Sequence, residues 1–365
     1  MINSGAIGMP LHFGKIPNWL SERMGKMGSA IVESVAQNYG KSEVLTRFSN
    51  PNWFQAMGAV MGMQWNSSGV TASVLGSLKR KINPMANELG IYILGGKGKY
   101  SYYAPRQIQA VSNKHGLNGD ELVTACKLTR RVDSNAVQDG FNLYQQYFLV
   151  TDEGEWAGIS QGMNTRSRRA RRYHWHSPTV RSFVDNPHKA IVGQQKKKIL
   201  NLADGRADYA RSNIVNLTKE KPAEILDIYK GVSFPDRHDV RESDVNMKRL
   251  GSVLHMAYEK GIDNFEDLLM LKGVGPKTLK SLAIAQIIMF SSMFLSVGQA
   301  PIQAIEGWLH HVAAVNPITN VIRMCRQGFL GEVTWATTQP GLIALLGMML
   351  GTGIWARIRY KKVDA

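Results

Sequence analysis

Cysteine is scarce in this chain, since only Cys126 and Cys325 occur among its 365 residues. Two thiols cannot build a disulfide framework or a cysteine-rich metal knot, which points to a reducing cytoplasm. Acidic residues are also few, because 28 Asp and Glu stand against 44 Lys and Arg and leave a formal net charge of +16. This charge predicts a polyanionic partner, either a nucleic acid or an anionic lipid surface.

Several motifs are also missing, among them a zinc-ligand spacing, a dinucleotide fingerprint and a nucleophile constellation. Residues 1–20 contain glycine, proline and histidine where a secretion signal would have a continuous apolar run. The C-terminal region differs, because 281–305 and 333–356 contain no charged residue and the second run is followed by a basic tail. These runs predict membrane-type helices and a cytoplasmic protein that contacts the inner face of the membrane through residues 286–365.

Residues 265–285 have the pattern of two short helices joined by a tight turn. Apolar residues recur at helical spacing before Gly273, and Pro276 restarts the pattern where a helix tolerates proline. Glycines let the backbone approach a phosphate, and the amides that open the second helix point at it. The segment predicts sequence-independent binding of a nucleic acid, and the alternative is an ordinary helical hairpin. The predicted contacts are Lys272, Gly273, Gly275 and Lys277.

A second basic segment spans 166–198. Arginines supply bidentate phosphate contacts, and aromatic rings between them offer stacking surfaces for unpaired bases. The alternative is a solvated basic loop with two buried rings. The predicted nucleic-acid contacts in this segment are Arg168, Arg169, Arg171, Arg172, Tyr173 and Trp175.

A glycine-rich segment at 95–99 follows a predicted strand, 91–94. Successive backbone amides in such a segment can cradle a phosphate, so Lys97 and Lys99 are further candidate contacts. The segment lacks the spacing and the Lys-Ser/Thr ending of a P-loop, and a simple glycine loop is the alternative.

Candidate catalytic groups lie near the second basic segment. His174 and His176 would share one face of a strand, and with Asp139 they are the predicted catalytic residues. Metal-dependent nucleases hold Mg²⁺ or Mn²⁺ on carboxylates, so a divalent metal is the predicted cofactor. Hydrogen bonding for the histidines and a hairpin turn at 152–155 are the structural alternatives. The candidate metal ligands are Asp139, Asp152, Glu155 and His188.

Seven short phrases, in order along the chain, resemble the family grouped as domain of unknown function 763 (DUF763). The match covers residues 5–285 approximately and implies a nucleic-acid-associated protein, although the family brings no established reaction. Asn66 departs from the pattern, where a histidine is expected. The phrases lie at 10–15, 53–56, 65–69, 95–99, 138–141, 170–175 and 187–188.

The last part of the chain, 293–365, is similar to the end of an ABC-2 type exporter permease. The resemblance rests on an interfacial tryptophan segment at 308–309, the phrase Asn-Pro-Ile-Thr at 316–319, and the basic tail. Such permeases need several more spans than this chain offers, so the resemblance implies a fusion, a rearranged gene or a membrane anchor.

Together these patterns predict a helix-rich α+β protein with a mixed domain at 1–205, a helical region with a helix-hairpin-helix module at 206–290, and a hydrophobic tail at 291–365. The expected function is the binding of DNA rather than RNA. The enzyme that this binding would serve is a metal-dependent, structure-specific nuclease in DNA repair or processing. The alternatives are a membrane-associated exporter component and a non-enzymatic nucleic-acid-binding protein. The sequence leaves the oligomeric state open.

Overall fold

The computed structural model divides the chain into two compact units. Unit 1 contains Met1–Lys219 and Ser252–Lys280, and unit 2 contains Glu220–Gly251 and Ser281–Ala365. Unit 1 therefore includes the predicted hairpin up to Lys280 together with the N-terminal part of the chain. The structure describes residues 3–5, 8–12, 14, 16–63, 66–194, 199–223, 225–226, 247–294, 307–331 and 333–361.

The strands of the main sheet of unit 1 are β1 (Asn3–Gly5), β2 (Met9–Pro10), β3 (Ile91–Lys97), β5 (Asn142–Thr151), β6 (Trp156–Asn164), β7 (Arg169–His176) and β8 (Ala190–Val192). Their order across the sheet is β1-β8-β7-β6-β5-β3, with β2 paired to β7. The strand pairs are antiparallel except β1 with β8. A second, two-stranded sheet pairs β4 (Val137–Gln138) with β9 (Leu200–Asn201).

The described helices begin with α1 (Asn18–Tyr39), α2 (Lys41–Ser49), α3 (Pro51–Val60), α4 (Ser68–Ile82), α5 (Ala86–Leu89), α6 (Ala104–His115), α7 (Gly119–Arg131) and α8 (Asp208–Thr218). They continue with α9 (Met247–Lys260), α10 (Phe265–Met270), α11 (Pro276–Phe294), α12 (Trp308–Val315), α13 (Pro317–Leu330) and α14 (Trp335–Lys361). Short 3₁₀ turns lie at Asn83–Met85, Gly98–Tyr103, Ser177–Thr179 and Gly205–Ala207, and a π-helical turn follows α7 at Val132–Ala136.

Helices cover both faces of the main sheet. One face, here called the first face, packs against α1 to α4, and its core includes Phe48, Leu75, Leu78, Ile93 and Ile159. The opposite, second face packs against α6, α7 and the π-helical turn. Because the central strands are covered on both faces, their polar side chains are shielded from water. Most of these side chains hydrogen-bond within the protein.

The structure confirms the predicted helix-rich α+β class and three local elements predicted from the sequence. The predicted strand at 91–94 forms most of β3 and leads into the glycines. The acidic segment at 152–155 is the turn between the antiparallel strands β5 and β6. The helix pair predicted at 265–285 is formed by α10 and α11.

The membrane-type helices predicted for the C-terminal region are wrong. Among the residues that the structure describes, no helix is both long and apolar enough to cross a bilayer. The uncharged run 333–356 lies mostly in α14, where Pro340 is inside the helix and glycine and threonine dilute the apolar residues. Of the run 281–305, residues 295–305 lie outside the described part of the chain.

The first face supplies a direct test of the core. Leu78 on α4 is fully buried, so we expect Leu78→Ala to lower the free energy of unfolding by about 2–5 kcal/mol through lost burial and a residual cavity. Val60→Ala on α3 should change it little, because Val60 is 60% exposed. Urea unfolding gives both values, and equal effects would contradict this packing.

Candidate nucleic-acid interface

The second basic segment forms β7, a strand inside the main sheet. Arg168 is exposed in the preceding turn, and Arg169 is half-buried at the strand's first position. The other four predicted contacts, Arg171, Arg172, Tyr173 and Trp175, are at most 3% exposed. A direct contact between these four side chains and a nucleic acid would require the sheet to open, so the structure places them in the core.

On the first face, β7 contributes Arg172 and His174, which hydrogen-bond to each other. Arg172 Nε donates to His174 Nε2 at 2.9 Å, and its guanidinium lies 4.6 Å from the centre of the Phe54 ring. Because Nε2 accepts, Nδ1 of the neutral imidazole carries the proton that it donates to the Phe48 carbonyl at 3.1 Å. Burial, and then the charge of Arg172, lower the pKa of His174 well below its ordinary value. Burial also lowers the pKa of Arg172 to about 10.

His176 lies on the same face, as the alternation of the sequence predicted. Its Nε2 is 3.4 Å from Thr46 Oγ1, and burial lowers its pKa from the ordinary value. Asp139, the third predicted catalytic residue, hydrogen-bonds with side chains of the second face. The structure therefore does not bring the three residues together.

Asp139 lies behind the second face and accepts three hydrogen bonds. Arg171 Nη1 and the Tyr173 hydroxyl donate to its Oδ2 at 2.6 Å each, and the Phe141 amide donates to Oδ1 at 3.0 Å. Burial raises the pKa of the Asp139 carboxyl, against the opposing charge of Arg171 and the hydrogen bonds. Both oxygens are engaged by protein donors, which is the arrangement of a structural carboxylate.

A second buried carboxylate, Asp133, was missed by sequence reasoning. It lies in the π-helical turn and is fully buried. It accepts from the Ser160 hydroxyl, from Trp175 Nε1 at 3.1 Å and from His188 Nε2 at 2.6 Å. The available signal was helical phase, because position 133 continues the buried spacing of Leu122, Cys126 and Thr129 along α7.

The four predicted metal ligands lie apart or are engaged elsewhere. Asp152 pairs with Lys41 at 2.6 Å, His188 with Asp133 and Asp139 with Arg171, while Glu155 belongs to the β5–β6 turn. In the described part of the chain, no group of three or more His, Cys, Asp or Glu side chains is placed to hold a metal ion. These residues do not fit a magnesium or manganese site.

The glycine segment at 95–99 begins inside β3, and its first glycine is packed rather than open. The Gly95 amide donates to Gln107 Oε1 at 2.8 Å, and a Cβ at Gly95 would lie 2.3 Å from the Gln146 carbonyl oxygen. Gly95 is thus required by close backbone approach, not by a phosphate. Lys97 and Lys99 are exposed at the end of the segment.

The helical hairpin is the predicted site that retains its exposed charges. Asn264 caps α10 by accepting from the Asp267 amide at 2.8 Å, and Gly273 adopts φ +94°, which favours glycine. Gly275 is half-buried, whereas Lys272 and Lys277 are exposed. The hairpin's buried apolar side chains in unit 1 are Phe265, Leu268, Leu269, Leu271, Val274 and Leu279.

Hydrogen bonds fix the turn of the hairpin to the rest of unit 1. The Val274 carbonyl accepts from Arg131 Nη1 at 2.9 Å and from Asn135 Nδ2 at 3.2 Å. Gln138 Nε2 donates to the Pro276 carbonyl at 2.8 Å. The π-helical turn therefore joins two elements, since its Asp133 binds the sheet and its Asn135 binds the hairpin. Such π turns are frequent where a helix positions a functional group.

The network around Asp133 makes a measurable contribution to stability. We expect Asp133→Asn to lower the free energy of unfolding by about 1.5–3 kcal/mol, the range for hydrogen bonds to a charged group. The matched control, Asp152→Asn, removes a partly exposed ion pair and should cost no more than about 1 kcal/mol. Denaturant titration distinguishes them, and a larger loss for Asp152→Asn would contradict the assignment.

Acidification should destabilise the protein through His174. Its folded pKa lies below the unfolded value, so below about pH 6.5 the unfolded chain binds a proton that the folded chain excludes. The free energy of unfolding should therefore decrease as the pH is lowered below about 6.5, by up to about 1.4 kcal/mol per pH unit for this group. His174→Gln should reduce this slope and the exposed His255→Gln should not, in urea unfolding at several pH values. An unchanged slope in His174→Gln would refute the assignment.

Comparison with known proteins gives a family and no function. The model of a family described as a protein of unknown function (DUF763) matches residues 5–294. No curated protein matches significantly, and no solved structure does. The similarity of 293–365 to an exporter permease finds no support in these comparisons. Of the residues in the family phrases, Phe13, Lys15 and Trp65 lie outside the described part of the chain. Because the match spans well over half of its length, this chain belongs to the DUF763 family.

Proposed function

We propose that this protein binds DNA through its helical hairpin, by contacts to the phosphate backbone that do not read sequence. One observation carries the proposal. Two exposed lysines, Lys272 and Lys277, flank a glycine turn whose Val274 carbonyl is held from inside the protein by Arg131 and Asn135. A preorganised turn of this kind binds a phosphate without a further cost of ordering the backbone.

The charge distribution around the hairpin supports the same partner. Glu266, near the start of α10, accepts from the Phe183 amide at 2.8 Å and from the Ser182 hydroxyl at 3.2 Å, so its charge is engaged within unit 1. From residue 268 to residue 285 the chain contains lysines and no acidic residue. With a net charge of +16, long-range attraction to a polyanion favours the encounter.

The proposal concerns binding and not cleavage. Asp139, the first candidate for a nuclease carboxylate, accepts from Arg171, Tyr173 and Phe141. His174 is enclosed on the other face of the sheet. No observation on the described residues favours cleavage of DNA. Binding of a nucleic acid without cleavage is therefore the function that the geometry supports best.

The test is the salt dependence of DNA affinity. We expect Lys272→Gln with Lys277→Gln to weaken binding to a blunt duplex and to reduce the slope of log affinity against log salt by about 0.9 for each lost phosphate contact. Fluorescence anisotropy on the full chain over a range of salt concentrations measures both quantities.

The control is Lys26→Gln with Lys114→Gln, which removes two exposed lysines from α1 and α6 and the same net charge. Equal losses in the two double variants would show that only overall charge matters. Tighter binding of an RNA duplex than of the DNA duplex would reassign the partner, and salt-independent binding would refute the proposal.

A further inference from the structure

A cavity of about 500 Å³ opens beside the hairpin, in unit 1. One wall is the turn Gly98–Tyr103, and another is the C-terminal end of α7. Met270 of α10 lines it together with Asn135, whose side chain also donates to the Val274 carbonyl. The cavity therefore adjoins the glycine turn to which we assign the DNA backbone.

Three cations line the cavity, and no carboxylate is among its lining residues. They are Lys127, Arg130 and Arg131, consecutive on α7 or one turn apart. Burial and the neighbouring charge of Arg130 lower the pKa of the Arg131 guanidinium. Like charges held this close are unfavourable until an anion joins them, so the cavity is suited to a phosphate group.

An aromatic ring stands at the rim of the same cavity. Tyr102 is 71% exposed, and the Arg130 guanidinium lies 4.1 Å from its ring centre. Arg130 Nη1 also donates to the buried Ser101 hydroxyl at 3.0 Å, which fixes the guanidinium beside the ring. Two more exposed rings lie in the same turn, Tyr100 and Tyr103, and their centres are 6.2 Å apart.

Cations beside exposed rings are the combination with which proteins hold unpaired nucleotides, because phosphates bind the charges and bases stack on the rings. Sequence reasoning assigned this role to Tyr173 and Trp175, which are buried. The signal that it overlooked is the segment Gly98–Tyr103, where three tyrosines follow Lys97 within six residues.

We propose that this cavity binds an unpaired nucleotide of a DNA whose duplex part lies on the hairpin. Its phosphate contacts Lys127 and Arg130, and its base stacks on Tyr102. A cavity of this size accommodates a nucleotide. The inference rests on the proposed DNA binding and narrows the substrate class to DNA in which paired and unpaired segments meet.

Affinities of the full chain for three labelled DNAs test the proposal: a blunt duplex, the same duplex with a short overhang, and the same duplex with an internal bulge. We expect one unpaired form to bind at least about fivefold more tightly than the blunt duplex, as one stacked base would give. The unpaired form that binds more tightly shows whether the bound nucleotide comes from a strand end or from within a strand.

Two variants assign the gain to the cavity. Tyr102→Ala and Arg130→Gln should each remove most of it and leave the affinity for the blunt duplex within about twofold. The matched control is Tyr39→Ala, because Tyr39 on α1 is also exposed and also lies against an arginine, Arg47 at 4.8 Å, without lining this cavity. Thermal unfolding verifies that each variant is folded.

The outcomes separate this proposal from the one on which it rests. Equal affinity of the wild-type chain for all three DNAs, or a gain that survives in both cavity variants, would overturn the nucleotide site and leave the hairpin assignment intact. In another outcome the cavity variants lose the gain, while Lys272→Gln with Lys277→Gln leaves blunt-duplex binding unaffected. That result would support the nucleotide site in the cavity and refute DNA binding by the hairpin.

Discussion

The hydrogen bonding of one buried carboxylate organises unit 1. Asp133 accepts from Ser160, Trp175 and His188, so a fully buried acidic side chain has its oxygens engaged by donors from two strands and a loop. Leaving any of these donors unpaired would be costly, which fixes the π-helical turn against the sheet. The same turn holds the hairpin through Asn135. The position of the proposed phosphate contacts therefore depends on a polar interaction in the core.

This arrangement accounts for a basic strand in the middle of a sheet. Arg171 neutralises Asp139 on the second face, while Arg172 lies on the first face against Phe54 and donates to His174 and Thr71. Charged side chains are tolerated at such buried positions only when they are paired or hydrogen-bonded. Lys272 and Lys277 of the hairpin are exposed, so the basic residues of unit 1 include a buried set in β7 and an exposed set on the hairpin.

What the sequence could predict was local. The hairpin follows from a glycine that needs positive φ and from Pro276 at the start of a helix, and the β5–β6 turn follows from its acidic residues. The role of β7 could not be read locally, because an arginine-rich segment has the same composition in a surface loop and between two strands. Its burial depends on non-local contacts, because β7 pairs with β2, β6 and β8 and elements distant in sequence cover both of its faces. Helical phase places Asp133 on the buried side of α7, but its partners Ser160, Trp175 and His188 could not be predicted because they are distant in sequence. The uncharged run 333–356 was misleading, because length and lack of charge predict a membrane helix only where glycine, threonine and proline do not dilute the apolar residues.

Hydrogen–deuterium exchange with and without a blunt DNA duplex tests the central claim most directly, because it reports backbone protection along the whole chain. If the hairpin binds the phosphate backbone, amides of residues 272–280 should exchange more slowly in the complex, while β7 should exchange slowly in both states because it is buried. Protection confined to other segments, with exchange at 272–280 unchanged under conditions where the duplex is bound, would contradict the account.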